Sequence, residues 1–450
     1  MTPGQRRRIA PSETCPYCSN RGFARRRRPA RFQAPPRTRL THIRPLVAIA
    51  ITAGLALAGL GCASPGSGIE PGEHVTVYVS MPLRGVEAAD GRDVASGARL
   101  ALTEAHRRVG ALAVRAVYLD DTEARGPRPR WSPAAAAANA RRAIEDSTAI
   151  AYLGDFDSGA TRFSLPITNE ARMLQVSPAS AAVDLVQPFL GAGDQVPEVQ
   201  HTGQRTFGRV IPSDEVQAQA AALWAKRLRA RHVMVSSDGS PFGKVMQAAF
   251  EEEARARGLR VGRGPRFVFS DPYSNQGRSL HCALLLGRVD LLYSAGARSP
   301  TGLLSSCGRS LKARRGIIAP DSLLTRPALA RLRGLHRPLR ITSAAQDPRQ
   351  LLPRGQEFVR RFAARYGRRP GRFAAYGYEA MAVILDSIRR AGDFGDDRDA
   401  VVRAFFDTTD RHSVLGPYSI DDVGNTTLRR LTGYQVRDGR AVFDTPIAVP

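Results

Sequence analysis

The segment Tyr152-Leu153-Gly154-Asp155-Phe156-Asp157-Ser158-Gly159-Ala160-Thr161 joins an apolar strand end to a helix start. A helix start carries unpaired amide donors and a partial positive charge, so Ser158, Gly159 and Ala160 offer a hydroxyl and amide N–H groups to a carboxylate or carbonyl. The plainer alternative is that Ser158 caps the helix and Gly159 eases the turn, and the two roles are compatible. Catalysis has less to work with. After residue 61 there is no Gly-x-Ser-x-Gly elbow, no phosphate loop, no helical His pair and no Gly-x-Gly-x-x-Gly fingerprint. The eight histidines are scattered and form no nucleophile–base pair. No catalytic residue, cofactor or metal site is therefore expected.

Of the five cysteines, Cys15 and Cys18 form Cys-Pro-Tyr-Cys, a redox-site spacing, but no strand or helix pattern flanks them to lower a thiol pKa. Cys282 and Cys307 fall on expected successive helices, either as a disulfide or as two thiols, and the sequence leaves that open. No Cys/His cluster has zinc spacing. The net charge of +25 invites a nucleic-acid reading, but its distribution argues against one. Residues 1–61 hold twelve arginines against the single acid Glu13, and only Lys226, Lys244 and Lys312 are lysines. Such a skew points to coding bias, and no helix-turn-helix, zinc-finger or aromatic-plus-basic pattern accompanies it.

Residues 1–61 read as a basic leader and signal. From Leu46 to Gly61 run 16 uncharged, mainly apolar residues, closed by small residues at Cys62. Spanning a bilayer takes about 20 residues, whereas a signal-peptide apolar region has about 7–15. With basic residues before it and Ala-Ser-Pro-Gly-Ser-Gly after it, the run resembles a bacterial lipoprotein signal, although Gly59 stands where leucine is usual. That resemblance implies export, lipidation of Cys62, and a tether over 62–72.

The elements that must position the site follow a clear rhythm. Strands are expected at His74–Val79, Val114–Leu119, Ile150–Leu153 and Leu174–Ser177, with helices at Gly91–Val109, Pro133–Asp146 and Ala160–Ala171 between them. After Pro212 the alternation restarts: helix Asp214–Arg229, strand His232–Ser236, helix Phe242–Arg257, strand Phe267–Phe269, helix Gly277–Leu286, strand Leu291–Ser294, helix Thr301–Arg309 and strand Gly316–Ala319. Helices Pro353–Tyr366 and Arg372–Arg390 follow, and a hairpin turns at Arg437-Asp438-Gly439. The expected fold is α/β, two doubly wound parallel-sheet lobes joined by three segments. Lobe one would comprise 73–209 and 347–413, and lobe two 210–346 and 414–450, with crossings near Arg209–Ser213, Ser343–Gln346 and Ser413–Pro417.

Eight motifs in order then carry a family resemblance: SMPLRG, GARLALTEA, VYLDD, YLGDFDSGAT, VSPAS, VIPSDEVQAQAAA, YGYEAMAVILDSI and VLGPYSID. Over about 75–450 the chain resembles type I periplasmic binding proteins of the branched-chain amino acid and amide-binding group. The resemblance implies a monomer that closes about a hinge on a small polar ligand and serves an ABC permease, with the membrane reached through the lipid anchor alone. A ligand sensor without transport uses the same fold and stays open as the alternative. The resemblance places Ala179, Ser180 and Ala181 where relatives contact an amino acid's carboxylate and ammonium, although Ala181 lacks the hydroxyl common there. It places Asp321 where relatives set an acid against the ammonium, Asp90 where some relatives use an aromatic, and Ala297-Arg298 near the mouth. Tyr293 reads as a strand residue rather than a contact. With Asp90, Asp155 and Asp157 close by, the cleft is more acidic than an aliphatic amino acid needs, which points to a ligand with a cationic or hydrogen-bonding end.

Overall fold

The computed structural model of the chain describes residues 74–123, 129–188, 196–263, 289–296, 313–333 and 337–450. The leader with Cys15, Cys18 and Cys62 lies outside them, as do Cys282, Cys307, Ala297, Arg298 and the elements expected at Phe267–Phe269, Gly277–Leu286 and Thr301–Arg309. No helix among the described residues is long and apolar enough to cross a membrane.

Two sheets organise the chain. The first has the order β2-β3-β1-β4-β5-β6, where β1 is His74–Met81, β2 Arg108–Val109, β3 Leu112–Asp120, β4 Ala149–Leu153, β5 Leu174–Ser177 and β6 Phe207–Arg209. All its pairings are parallel except the short β2–β3 hairpin. The helix expected over Gly91–Val109 is Ala88–Glu104, because His106 and Arg107 both take the left-handed region and turn the chain into β2. The strand ending at Arg209 is an addition that a three-residue run does not announce.

The second sheet has the order β15-β14-β11-β10-β9-β7-β8. Its parallel part comprises β7 His232–Ser237, β8 Arg260–Arg263, β9 Leu291–Ala295, β10 Gly316–Pro320 and β11 Leu339–Ser343. The terminal hairpin, β14 Arg430–Arg437 and β15 Arg440–Ala448, is longer than expected and extends this sheet antiparallel to β11. Its two-residue turn, Asp438-Gly439, has positive φ at both positions, as a strand-matched tight turn requires.

The chain passes between the sheets three times. After β6, helix Asp214–Arg227 packs on β10 and β11 of the second sheet. After β11, helix Ala374–Arg390 packs on Ala88–Glu104, and helix Arg398–Phe406, absent from the expectations, reaches β4 and β5. After the small ladder of β12 Arg411–Ser413 and β13 Gly416–Tyr418, β14 rejoins the second sheet. The passages are tied to one another. Arg209, fully buried, donates to Asn425 Oδ1 at 2.8 and 2.6 Å, Gln346 donates to the Leu415 carbonyl, and the Asp347 amide donates to Thr432 Oγ1. One apolar core continues through Val210, Ile211, Ala344 and Ala345, and a second cluster around Leu292, Ile317 and Ala319 lies under the other face of the second sheet.

Candidate functional site

In open parallel sheets ligands gather beyond the carboxyl ends of the strands. At the first sheet that edge is built from the loop after β1, the end of β3 and the junctions after β4 and β5. The helix of the β4 junction spans Ser158–Glu170 and its cap is Asp157, not Ser158. The Gly159 amide donates to Asp157 Oδ1 at 2.6 Å, so a resident carboxylate already occupies that helix start. Ser158 Oγ accepts from the Ala182 amide at 3.2 Å. Gly159 lies beneath Trp131, and a Cβ there would sit 2.3 Å from the indole. Ala160 is fully buried in the packing below.

The β5 junction is equally self-contained. The amides of Ala179 and Ser180 both donate to Ser177 Oγ, which itself donates to the Asp155 carbonyl. Ser180 Oγ donates to the same carbonyl at 3.0 Å and contacts Thr161 Oγ1 at 2.7 Å. The carbonyl of Ala181 accepts from the Asp214 amide at 2.9 Å, joining this junction to helix Asp214–Arg227. The structure thus brings Ser158, Gly159, Ala179, Ser180 and Ala181 together; the Gly159 amide, read as an open donor, is engaged within the chain, as are the amides of Ala179 and Ser180.

Asp90 is not in the first loop. It lies in the first turn of helix Ala88–Glu104 and accepts from Arg372 at 3.0 Å. Burial opposes the Arg372 charge, but Asp90, Asp321 and Tyr434 outweigh it and raise the guanidinium pKa. Asp321 opens a 3-10 turn directly after β10. It accepts from Gln217 Nε2 at 3.1 Å and Ser343 Oγ at 3.0 Å, so its carboxylate is held in place.

Further acids complete the edge. Asp121 follows β3 and is fully buried, yet neither carboxylate oxygen has a hydrogen-bond partner among the described residues. Burial, then Asp155, Asp120, Glu87 and Asp157, push its pKa up to about 9. Glu87, before the first helix, has a buried Oε2 without a partner among the described residues, and burial followed by Asp157 pushes its pKa up to about 7. Asp155 is also fully buried but accepts from Tyr152 Oη at 3.1 Å and from Ser164 Oγ, and burial raises it to about 6. Across the cleft Asp214 is pushed to about 7, by burial first and Asp321 second. Tyr293 is a strand residue as read, fully buried and stacked on Phe250 at 3.9 Å; its hydroxyl has no partner among the described residues and lies within electrostatic reach of Asp214 and Asp321. The adjacent acids Asp120-Asp121 at a strand end were the available signal. Asp120 has its own occupation, with Arg84, Thr122 and the Leu83 amide. No group of three or more His, Cys, Asp or Glu among the described residues could hold a metal ion.

Against known proteins, residues 75–441 match the model of a periplasmic binding protein family. The Leu/Ile/Val-binding protein BraC3 of Rhizobium johnstonii is 24% identical over 372 residues, 82% of this chain and 93% of that protein. Among solved structures, the leucine-binding protein LivK of Thermotoga maritima superposes with a TM-score of 0.64 at 25% identity, over 83% of this chain and 99% of that one. A solute-binding protein of Rhodopseudomonas palustris in complex with benzoate gives 0.62 at 16% identity, over 84% and 97%. The latter likeness is one of fold.

Proposed function

The chain belongs to the periplasmic binding protein family, and we propose that it captures a small polar solute between its two lobes and hands it to the permease of an ABC importer. The family is one of binding proteins, not enzymes, and works outside the cytoplasm. The observation that carries the reading is the pairing of two strand-end edges, Ser158 to Ala181 on one and Asp214 with Asp321 on the other, linked by the Asp214–Ala181 hydrogen bond. Lobe one is 73–209 with 347–413 and lobe two is 210–346 with 414–450, and the three passages between the sheets serve as hinge. A solute touching both walls favours the closed state, since only closure completes both sets of contacts.

Within that reading, Ser158, Gly159, Ala160, Ala179, Ser180, Ala181 and Asp90 line one wall and Asp321 anchors the other. The Rhizobium relative is named for leucine, isoleucine and valine, so amino acids are the first class to test, then amides and related compounds. A thermal-shift screen of the purified chain against amino acids, amides, polyamines and urea identifies the class. Small-angle scattering at saturation then reads a more compact particle. Binding without any change of shape counts against hinge closure.

Cys62 is the lipid anchor in this proposal and the chain acts as a monomer. Acyl and diacylglyceryl chains together hold a protein where one chain is marginal. Mass spectrometry of the mature N-terminus expects an acylated Cys62, and a mature chain that starts elsewhere refutes it.

A further inference from the structure

We propose that the lobe-one wall of the cleft receives a cationic group, so that the solute is a small nitrogenous cation bearing an ammonium, amidinium or guanidinium end. This rests on the reading of the cleft as the solute site. Glu87, Asp121, Asp155 and Asp157 come from three separate strand ends, and the other three lie within electrostatic reach of Asp121. Two of the four have internal work: Asp155 accepts from Tyr152 and Ser164, and Asp157 caps the Ser158–Glu170 helix. Asp121 has none. Its side chain is fully buried with both oxygens unpartnered among the described residues, and Glu87 Oε2 shares that state.

A buried carboxylate without a donor is strongly unfavourable unless it is protonated or meets a cation. A guanidinium offers five donors in a fixed fork and an ammonium three, enough to serve Asp121 and Glu87 together. On the other side, Tyr293 Oη, buried and unpartnered among the described residues, lies within electrostatic reach of Asp214 and Asp321. An anionic end fits less well, because the amides of Gly159, Ala179 and Ser180 are already spent on Asp157 and Ser177. Among the described residues, Arg372 is bound to Asp90, and Arg130, exposed to solvent, lies within electrostatic reach of Glu87 and Asp157. An aliphatic side chain would press against the unpartnered carboxyls and give them nothing.

Titration calorimetry on the purified chain with matched pairs decides it: L-arginine against L-citrulline, and L-lysine against L-norleucine, with agmatine and putrescine beside them. At least one cation should bind, its neutral partner at least about 100-fold more weakly (about 2.7 kcal/mol). Asp121→Asn and Glu87→Gln should each cost tenfold or more in affinity for that cation while circular dichroism stays native. If Asp121→Asn fails to fold, Glu87→Gln decides alone. Equal binding of arginine and citrulline, tight binding of L-leucine with no cation preference, or unchanged affinity in Glu87→Gln overturns the cationic wall and leaves solute capture standing. Failure of all four cations overturns the cationic wall as well. Solute capture itself falls only if nothing in the wider thermal-shift screen binds.

Discussion

The two edges of the cleft treat their acids in opposite ways. Asp321 of the second sheet accepts from Gln217 and Ser343, and is positioned before any ligand arrives. Asp121 of the first sheet is more deeply buried and has no donor among the described residues. The difference teaches that a carboxylate's place at a strand end does not set its state. What matters is whether neighbouring elements spend donors on it. Gln217 reaches Asp321 because its helix crosses over β10 and β11; the loops around Asp121 bring Glu87, Asp155 and Asp157 instead of donors.

The largest test of that contrast is the pH dependence of the ligand-free protein. Asp121, Glu87, Asp214 and Asp155 have folded pKa values of about 9, 7, 7 and 6, all above the unfolded range near 4. Groups with raised folded pKa bind protons on folding, so their stabilisation is complete below about pH 4 and is lost as pH rises through 6 to 9. Stability in urea should fall by on the order of 10 kcal/mol between pH 4 and 9, with any opposing contribution of the paired acids subtracted through variants. A flat profile would mean that the lobe-one acids are compensated after all.

Asp121→Asn sharpens the comparison next. Asparagine removes the proton uptake that folding requires of Asp121, which should stabilise the empty protein by roughly 5 kcal/mol at pH 8 and change little at pH 4. Asp321→Ala should do the reverse, destabilising the fold by about 1.5–2 kcal/mol, because Gln217 and Ser343 lose their acceptor, and weakening solute binding by about 1.5–3 kcal/mol. Urea melts and calorimetry on the two variants read opposite signs if the edges differ as described. The same sign in both would erase the distinction. Ser158→Ala has the smallest effect, about 1 kcal/mol, since its hydroxyl accepts one amide, that of Ala182. If stability drops by that amount while binding is untouched, Ser158 is a brace within lobe one and not a solute contact.

Much of the fold was legible along the chain. Period-two apolar runs such as Val75, Val77 and Val79, alternating with helical stripes, specify tandem parallel sheets, since that alternation has few other ways to bury its apolar surface. Short strands were harder. Phe207–Arg209 and Leu339–Ser343 owe their state to the neighbours they pair with, and helix Arg398–Phe406 to its packing on β4 and β5. The two-residue Asp-Gly turn announced the last hairpin but not its length.

For the site, local sequence determined which residues stand at strand ends and helix starts: Ser158, Ala179 to Ala181, and Asp321 at the close of β10. Only the tertiary structure decided what those groups are free to do. The Gly159 amide is spent on Asp157 and the Ser158 hydroxyl on Ala182, while Asp90 is paired with Arg372, a partner 282 positions away. Asp121 meets Glu87 and Asp155 because parallel pairing sets β1 between β3 and β4 and delivers all three loops to one edge. Donor and acceptor types are properties of the chain, but hydrogen bonds are short and directional, so which partner claims each group is settled only when distant segments are brought within about 3 Å.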